Sequence, residues 1–206
     1  MKLTTMTQVT VDGVMQGNGH ASGDELEDGF ERAGWAMGVF ADDTADFIAR
    51  TYQYAEAFLF GRRTYEMFQQ TWGTNDAMRE HDIGVALNAA PKYVASNTML
   101  EPTWRHTTIL SGDILEPIRN LKSAPGGEIQ VHGSGALVRW LMANDLVDEL
   151  ILLTVPVVLG QGTRLFPDDG PDVALELVQS HTDAKGVIVQ IYRPAGRPTY
   201  HPNLFD

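Results

Sequence analysis

The feature that most constrains the fold of this chain is a regular alternation of short apolar runs with amphipathic segments of helical period. Predicted strands lie at 1–12, 57–61, 92–96, 107–110, 128–132 and 149–155, and predicted helices lie at 44–55, 64–70, 113–122 and 136–144. Such alternation favours right-handed crossovers and a mainly parallel sheet. Two further runs, 175–180 and 187–193, flank a turn without a helix, which predicts an antiparallel edge.

Charge and composition narrow the class of function. The 206 residues include 15 Lys+Arg and 27 Asp+Glu, which gives a net charge of −12. Because nucleic acids and anionic membranes attract cationic surfaces, neither is an expected partner. The chain has no Cys, and its six His show no spacing typical of metal ligands, so no metal site is predicted. Without a long apolar run, we expect a cytoplasmic protein that acts on a small molecule.

A glycine-rich turn is the first candidate site. Gly133-Ser134-Gly135-Ala136 follows a predicted strand and opens a predicted helix. Glycines let the backbone approach a phosphate closely, and the first turn of a helix offers unpaired N–H groups. The alternative is a strand-to-helix turn that needs only positive φ. A nucleophilic role for Ser134 is disfavoured because the G-x-S-x-G pattern is absent.

Two further candidates also stand at predicted strand ends, where open α/β sheets bind ligands. Gly61-Arg62-Arg63-Thr64 places two guanidinium groups and a hydroxyl where they can clamp a phosphate. The alternative is a solvated pair matched to Glu66. Ser96 and Asn97 offer a hydroxyl and an amide to a phosphate or ribose, or form an ordinary turn.

An acidic residue, a further candidate for the functional site, lies at the end of the predicted N-terminal strand. Asp12, before Gly13, either orients a substrate or caps the turn, and residues 16–27 after it are expected to form a flexible loop. His132 is interpreted as a structural residue or a cofactor neighbour. The four Trp, including Trp140, are expected in the core.

An ordered set of motifs resembles a known family. The set comprises Val11-Asp12-Gly13, Leu59-Phe60-Gly61-Arg62-Arg63-Thr64-Tyr65-Glu66, Lys92-Tyr93-Val94-Ala95-Ser96, His132-Gly133-Ser134-Gly135-Ala136-Leu137, Leu146-Val147-Asp148-Glu149-Leu150 and Pro156-Val157-Val158-Leu159-Gly160-Gln161-Gly162-Thr163-Arg164-Leu165-Phe166. These motifs are similar to those of the dihydrofolate reductase-like family, in the branch of the bacterial riboflavin-biosynthesis (deaminase-reductase) C-terminal domain. The resemblance implies a three-layer α/β fold with about eight strands. We expect one domain over 1–193 and an irregular tail over 194–206.

The resemblance also implies an NADPH-dependent reductase, commonly a homodimer. Cofactor contacts would come from Gly61, Arg62, Arg63, Thr64, Ser96, Asn97, Gly133, Ser134, Gly135 and Ala136. Arg62 or Arg63 would bind the 2′-phosphate. The substrate would be a pterin, a folate or a ribosylaminopyrimidine. Asp12, on a loop expected to cover the nicotinamide, and Asp46 are the candidate proton donors, with Asp43 as an alternative to Asp46.

Three alternatives to this assignment remain open. Asp43 and Asp46 are equally explained as negative charge in the first turn of a helix. The chain is alternatively a nucleotide-binding module or sensor without turnover, or a protein that binds a flavin or an antifolate in the same cleft. No deaminase activity is expected, because the sequence has no zinc motif.

Overall fold

One mixed sheet organises the chain. The computed structural model describes residues 1–19, 29–99 and 101–201. Within these residues the strands are β1 (Lys2–Thr10), β2 (Ala55–Gly61), β3 (Lys92–Ala95), β4 (Thr107–Leu110), β5 (Glu128–His132), β6 (Glu149–Val155), β7 (Leu175–Thr182) and β8 (Ile188–Pro194). Their spatial order is β4-β3-β2-β5-β1-β6-β8-β7. Only the pairings of β8 with β6 and β7 are antiparallel among these strands, which confirms the predicted mainly parallel sheet with a C-terminal antiparallel edge.

Helices connect the parallel strands. They are α1 (Asp42–Gln53), α2 (Arg62–Phe68), α3 (Asp76–Arg79), α4 (Asp82–Ala89), α5 (Leu115–Ser123) and α6 (Gly135–Ala143), with a π-helical segment at Gln69–Thr74. Four of them, α1, α2, α5 and α6, match the predicted helices to within two residues at each end. The π-helical segment, α3 and α4 were not predicted from the sequence.

The unpredicted helix α4 has little of the pattern that identifies a helix. It spans eight residues, and its N-cap is His81 instead of the usual Ser, Thr or Asp; the Nδ1 of His81 accepts a hydrogen bond from the Ile83 N–H at 3.3 Å. It also contains Gly84, a poor helix former. That glycine is required by packing, because a Cβ there would lie 2.0 Å from the Met78 carbonyl oxygen.

Two apolar layers enclose the sheet. On one face, Ile48 and Tyr52 of α1 and Leu87 of α4 pack against the strands. On the other face, Ile118 of α5 and Leu141 of α6 do the same. The four-residue spacing of Ile48 and Tyr52 places both on one side of α1, as the amphipathic pattern predicted. The result is a three-layer architecture.

A buried lysine joins α4 to β3. Lys92 is fully buried, and its Nζ donates to the carbonyls of Leu87 and Ala90 at 2.6 and 2.8 Å. The same ammonium lies 4.8 Å from the ring centroid of Trp104. Burial lowers the pKa of Lys92 to about 8. The cation therefore binds the last carbonyls of α4, where a helix favours positive charge.

The outer strand β7 is exposed along its whole length. All eight of its residues are exposed, and they include Leu175, Leu177 and Val178. After β8, residues 195–201 form neither helix nor strand. Arg197 and Tyr200 from this tail both bind the Asp172 carboxylate. In the described part of the chain, no helix has the length and apolarity needed to span a membrane.

Candidate active site

A cavity of about 590 Å³ lies at the carboxyl ends of β2, β3 and β5. These strands are adjacent in the sheet. Its walls come from the residues that follow each strand; they are Met15, Gly61, Arg62, Arg63, Thr64, Ala95, Thr98, Ser134, Gly135, Ala136, Leu137 and Trp140. Both the volume and the position are typical of small-molecule and cofactor sites in open α/β proteins. The structure thus brings together seven of the ten predicted cofactor contacts. Of the other three, Gly133 immediately precedes Ser134, and Ser96 and Asn97 lie between Ala95 and Thr98.

Reciprocal hydrogen bonds connect the two main motifs of the cavity. The Ser134 Oγ accepts from the Gly61 N–H at 3.0 Å, and the Ser134 N–H donates to Thr64 Oγ1 at 3.1 Å. Each motif thereby supplies a side-chain oxygen that accepts a hydrogen bond from a backbone N–H of the other. The start of α6 and the start of α2 are therefore held at a fixed distance across the cavity wall.

The turn before α6 has the conformation that its glycine content predicted. Gly133 has φ +56°, and a Cβ there would lie 3.5 Å from Thr64 Cγ2. Ser134 has φ +51°, a left-handed conformation that is strained for a residue with a side chain. At Gly135, a Cβ would lie 2.4 Å from Met15 Sδ. The missing Cβ atoms therefore let Thr64 and Met15 pack closely against the turn that begins α6.

Arg62 lies at the border of the main cavity and a second one of about 390 Å³, and it lines both. Its Nη1 donates to Thr98 Oγ1 at 2.8 Å, and its Nε lies 3.3 Å from Glu66 Oε1. The predicted pairing with Glu66 is therefore present. Arg62 also lines the cavity, so pairing with Glu66 does not exclude a role in binding phosphate.

Ser96 and Asn97 shape the turn after β3. Ser96 Oγ accepts from the N–H groups of Thr98 and Met99 at 3.2 and 3.0 Å. Asn97 Oδ1 accepts from the Gly112 N–H at 2.7 Å. Both side chains thus stabilise the turn, which is the alternative interpretation given for them above. It is the next residue, Thr98, whose hydroxyl reaches Arg62 and whose surface lines the cavity.

Asp12 holds two loops together. Its carboxylate accepts from Thr10 Oγ1 at 2.6 Å and from the N–H groups of Leu159 and Gly160 at 3.1 and 2.7 Å. These hydrogen bonds, that from Thr10 first, lower the pKa of Asp12 to about 2. A carboxyl group held ionised in this way is a poor proton donor. The geometry favours a role in fixing the loop that carries Met15 over Gly135.

The rest of this loop is also paired. Val14 forms a bridge with Arg164, and the Met15 N–H donates to the Thr163 carbonyl at 2.9 Å. Gln16 Oε1 accepts from the Thr163 N–H at the same distance. Residues 10–16 are therefore bound to residues 157–165. Most of the flexible loop expected at 16–27 lies outside the described residues.

Asp46 lies on the exposed side of α1. Its carboxylate makes no hydrogen bond or ion pair within the described part of the chain. The start of the same helix is anchored to the β7–β8 turn: Asp43 Oδ2 lies 2.5 Å from His181 Nε2, and the buried Asp183 accepts from the Ala41 N–H at 3.0 Å. Hydrogen bonding by His181 lowers the pKa of Asp43. The first turn of α1 therefore has a defined position, with Asp46 open to solvent.

His132 is buried beneath the glycine turn. It is 2% exposed, and its ring stacks on Tyr52 with centroids 3.9 Å apart and planes at 9°. Its Nε2 has no hydrogen-bond partner among the described residues. Burial lowers the pKa of His132 to about 3, so the ring is neutral at ordinary pH. This placement agrees with the structural interpretation of His132.

Five cavity residues were not predicted as contacts from the sequence: Met15, Ala95, Thr98, Leu137 and Trp140. Trp140, expected in the core, lines the cavity instead, as do Met15 and Thr98. Thr98 could have been found by extending the predicted turn by one residue. Met15 and Trp140 carry no comparable local pattern, because their place depends on how α6 packs. No His, Asp or Glu lines the main cavity within the described residues, and no metal-binding group of three or more such side chains occurs there.

Sequence comparison identifies related chains. The model of the RibD C-terminal domain matches residues 1–189. The uncharacterized protein YyaP of Bacillus subtilis (strain 168) is 31% identical over 138 residues, which cover 66% of this chain and 73% of YyaP. The uncharacterized protein YwjB of the same organism is 32% identical over 87 residues, 42% of this chain and 49% of YwjB.

Solved structures share the fold. A protein assigned to riboflavin biosynthesis from Shewanella sp. PV-4 superposes with a TM-score of 0.71 at 18% identity, over 95% of this chain and 99% of the other. A pyrimidine reductase-like protein from Corynebacterium diphtheriae gives 0.62 at 13% (94% and 92%). Dihydrofolate reductase from Enterococcus faecalis, complexed with NADP(H) and RAB-propyl, gives 0.61 at 14% (94% and 96%). With the domain model matched from residue 1 to residue 189, the chain belongs to the RibD C-terminal domain family, which supports a reductase-type function.

Proposed function

We propose that the protein is an NADPH-dependent reductase that transfers hydride to a small heterocycle, either pterin-like or ribosylaminopyrimidine-like. Family membership supports an oxidoreductase with a nicotinamide cofactor. The observation that carries the proposal for this chain is the cavity at the strand ends, which is lined both by the start of α6 and by the arginine pair. A bound nicotinamide cofactor would supply the hydride.

Two walls of the cavity would bind different phosphate groups of the cofactor. The start of α6 lines the cavity, and the first backbone N–H groups of a helix lack intrahelical acceptors, which supports a pyrophosphate site there. Arg62 and Arg63 stand at the other wall, where a guanidinium group can bind a 2′-phosphate through two hydrogen bonds. The Ser134–Thr64–Gly61 hydrogen bonds keep these two anion sites at a constant separation.

Proton supply is the second requirement of such a reaction. The ionised, triply bonded Asp12 supports a positioning role on the loop beside the cavity. Asp46, unpaired within the described residues, is the carboxyl group we propose as donor, either directly or through water.

One observation favours a second candidate function. Because no acidic or imidazole group of the described residues lines the main cavity, the site resembles a binding site more than a complete reaction centre. A nucleotide-binding module or sensor would have this composition. It would bind NADPH without oxidising it.

We also propose that the protein acts on its small-molecule substrate as a homodimer. The supporting observation is β7, which has no strand on its outer side among the described residues and carries the exposed Leu177, so it is suited to pairing with a second copy. Sedimentation equilibrium of the wild type and of Leu177→Lys tests this. A dimer that weakens in the variant is expected, and a monomeric wild type would contradict it.

The decisive experiment measures binding and turnover separately. A thermal-shift titration with NADPH and NADH is expected to stabilise the wild type by about 2.7 kcal/mol at 100 times the dissociation constant, with NADPH effective at lower concentration. Arg62→Ala and Arg63→Ala should weaken the NADPH response. Arg119→Ala is a matched control, because Arg119 is also an exposed helix arginine paired with a carboxylate, Glu116, but it lies on α5.

Turnover is then followed as loss of NADPH fluorescence with dihydrofolate and with a ribosylaminopyrimidine. Oxidation that depends on one of these substrates supports the reductase. Binding without oxidation favours the sensor. No stabilisation by either nucleotide would overturn the proposed function.

A further inference from the structure

Arg62 is held from two sides by groups of different charge. On one side, its Nε lies 3.3 Å from the Glu66 carboxylate, one turn further along α2. On the other side, its Nη1 donates to the neutral hydroxyl of Thr98 at 2.8 Å, across the gap to the loop after β3. Arg62 and Thr98 line both cavities, so this hydrogen bond lies on the border between them.

These two partners leave most of the guanidinium available. An arginine has five N–H groups; the hydrogen bond to Thr98 uses one, and the Nε–H lies beside the Glu66 carboxylate in the ion pair. The remaining three are enough for a bidentate bond to a phosphate. The side chain is nonetheless 46% exposed, and an exposed arginine without anchors would sample many rotamers. The two partners therefore preorganise a group that is otherwise mobile.

The two anchors act in opposite directions on an anionic ligand. Thr98 fixes the guanidinium without reducing its charge. Glu66 also fixes it, but its carboxylate competes with any phosphate for the same cation. Glu66→Gln removes the competing charge while it keeps a side chain of the same shape, with a polar oxygen, beside Arg62 Nε.

We infer that Thr98 and Glu66 are opposing positioning residues for Arg62, which together set the preference of the cavity for an adenosine that bears a 2′-phosphate. The inference rests on the proposed function and adds two residues that determine its cofactor specificity. Thr98 raises the preference by preorganisation. Glu66 lowers it by charge competition, which keeps the phosphate from being held too tightly for release.

The test uses two small probes that isolate the 2′-phosphate: adenosine 2′,5′-bisphosphate and AMP, each titrated calorimetrically into the full chain. The ratio of their affinities is the readout. Thr98→Val is expected to lower the affinity for the bisphosphate about 3- to 10-fold, because one hydrogen bond to the guanidinium is lost. Glu66→Gln is expected to raise it about 2- to 5-fold. The affinity for AMP should stay constant in both variants.

Matched controls separate positioning from general damage. Thr98→Ser retains the hydroxyl and should restore the wild-type ratio. Thr103→Val changes a threonine that lines only the second cavity, and Glu116→Gln changes a carboxylate that pairs with Arg119 on α5. Neither control should alter the ratio.

The outcomes distinguish the inference from the proposed function. Opposite shifts in the two variants support the inference. A wild type that prefers the bisphosphate, with a ratio unchanged or shifted in one direction by both variants, overturns the inference while the proposed function stands. A wild type that binds neither probe overturns both.

Discussion

The buried histidine beneath the glycine turn makes stability depend on pH in a calculable way. His132 is neutral in the folded protein because burial lowers its pKa from 6.5 to about 3. In the unfolded chain it titrates near 6.5. Below that pH the unfolded state binds a proton that the folded state does not, so stability is complete above pH 6.5 and falls as the pH decreases toward 3. The slope in this window is about 1.4 kcal/mol per pH unit.

His132→Phe isolates this contribution. Phenylalanine has no titratable group and can retain the stacking on Tyr52. Between pH 7.5 and 5.5, the wild type is expected to lose about 1.4 kcal/mol more unfolding free energy than the variant does. Urea unfolding at pH 7.5, 6.5 and 5.5 measures the difference, which corresponds to a shift in midpoint of roughly half a molar or more.

The comparison of slopes is independent of the packing change. Any constant effect of the larger ring moves the variant's stability equally at each pH. The other acids and histidines, including the Asp43–His181 pair, are common to both proteins and cancel. Parallel pH profiles for the two proteins would refute the assignment of His132 as a buried neutral base.

Three further predictions concern the residues that hold the site in place. Ser134→Ala should lower the free energy of unfolding by about 1 kcal/mol in a denaturant titration, since the Gly61 N–H loses its acceptor. Ser134→Gly should be less destabilising than Ser134→Ala by about 1 kcal/mol, because glycine relieves the left-handed strain. A glycine variant less stable than the alanine variant would contradict that account. Asp183→Ala should destabilise by about 3 kcal/mol, because the N–H groups of Ala41, Lys185 and Val187 lose one shared buried acceptor; a change below 1 kcal/mol would show that water replaces it. Asp46→Asn should lower turnover at least about 100-fold without altering the dissociation constant of NADPH; unchanged turnover would remove Asp46 from the mechanism.

The parts of the fold that the sequence predicts are those where local pattern and tertiary environment agree. The parallel strands and the helices α1, α5 and α6 each carry a clear apolar period, and their bounds were predicted to within a few residues. The region from the π-helical segment to α4 carries no such period. Its structure depends on contacts distant in sequence, such as that of Trp104 Nε1 with Asn88 Oδ1 at 2.7 Å.

The candidate site likewise has parts that the sequence predicts and parts that it does not. The glycine turn and Gly61-Arg62-Arg63-Thr64 were found because their chemistry is local: positive φ, a strand end and adjacent cations. The attachment of Asp12 to Leu159 and Gly160 joins residues nearly 150 positions apart. No local pattern indicates such a partner, so the sequence alone offered only the orientation of a substrate or the capping of the local turn as roles for Asp12.

The position of β1 in the sheet determines when this strand can pair during synthesis on the ribosome. β1 is made before the other described strands, and it lies between β5 and β6, which start at residues 128 and 149. At 5–20 residues per second, β1 waits about 6 to 24 s before either neighbour has been made. During that interval its apolar residues Leu3, Met6 and Val9 have no native partner in the sheet. β1 therefore gains its second neighbour in the sheet only after β6, which ends at Val155, has been made.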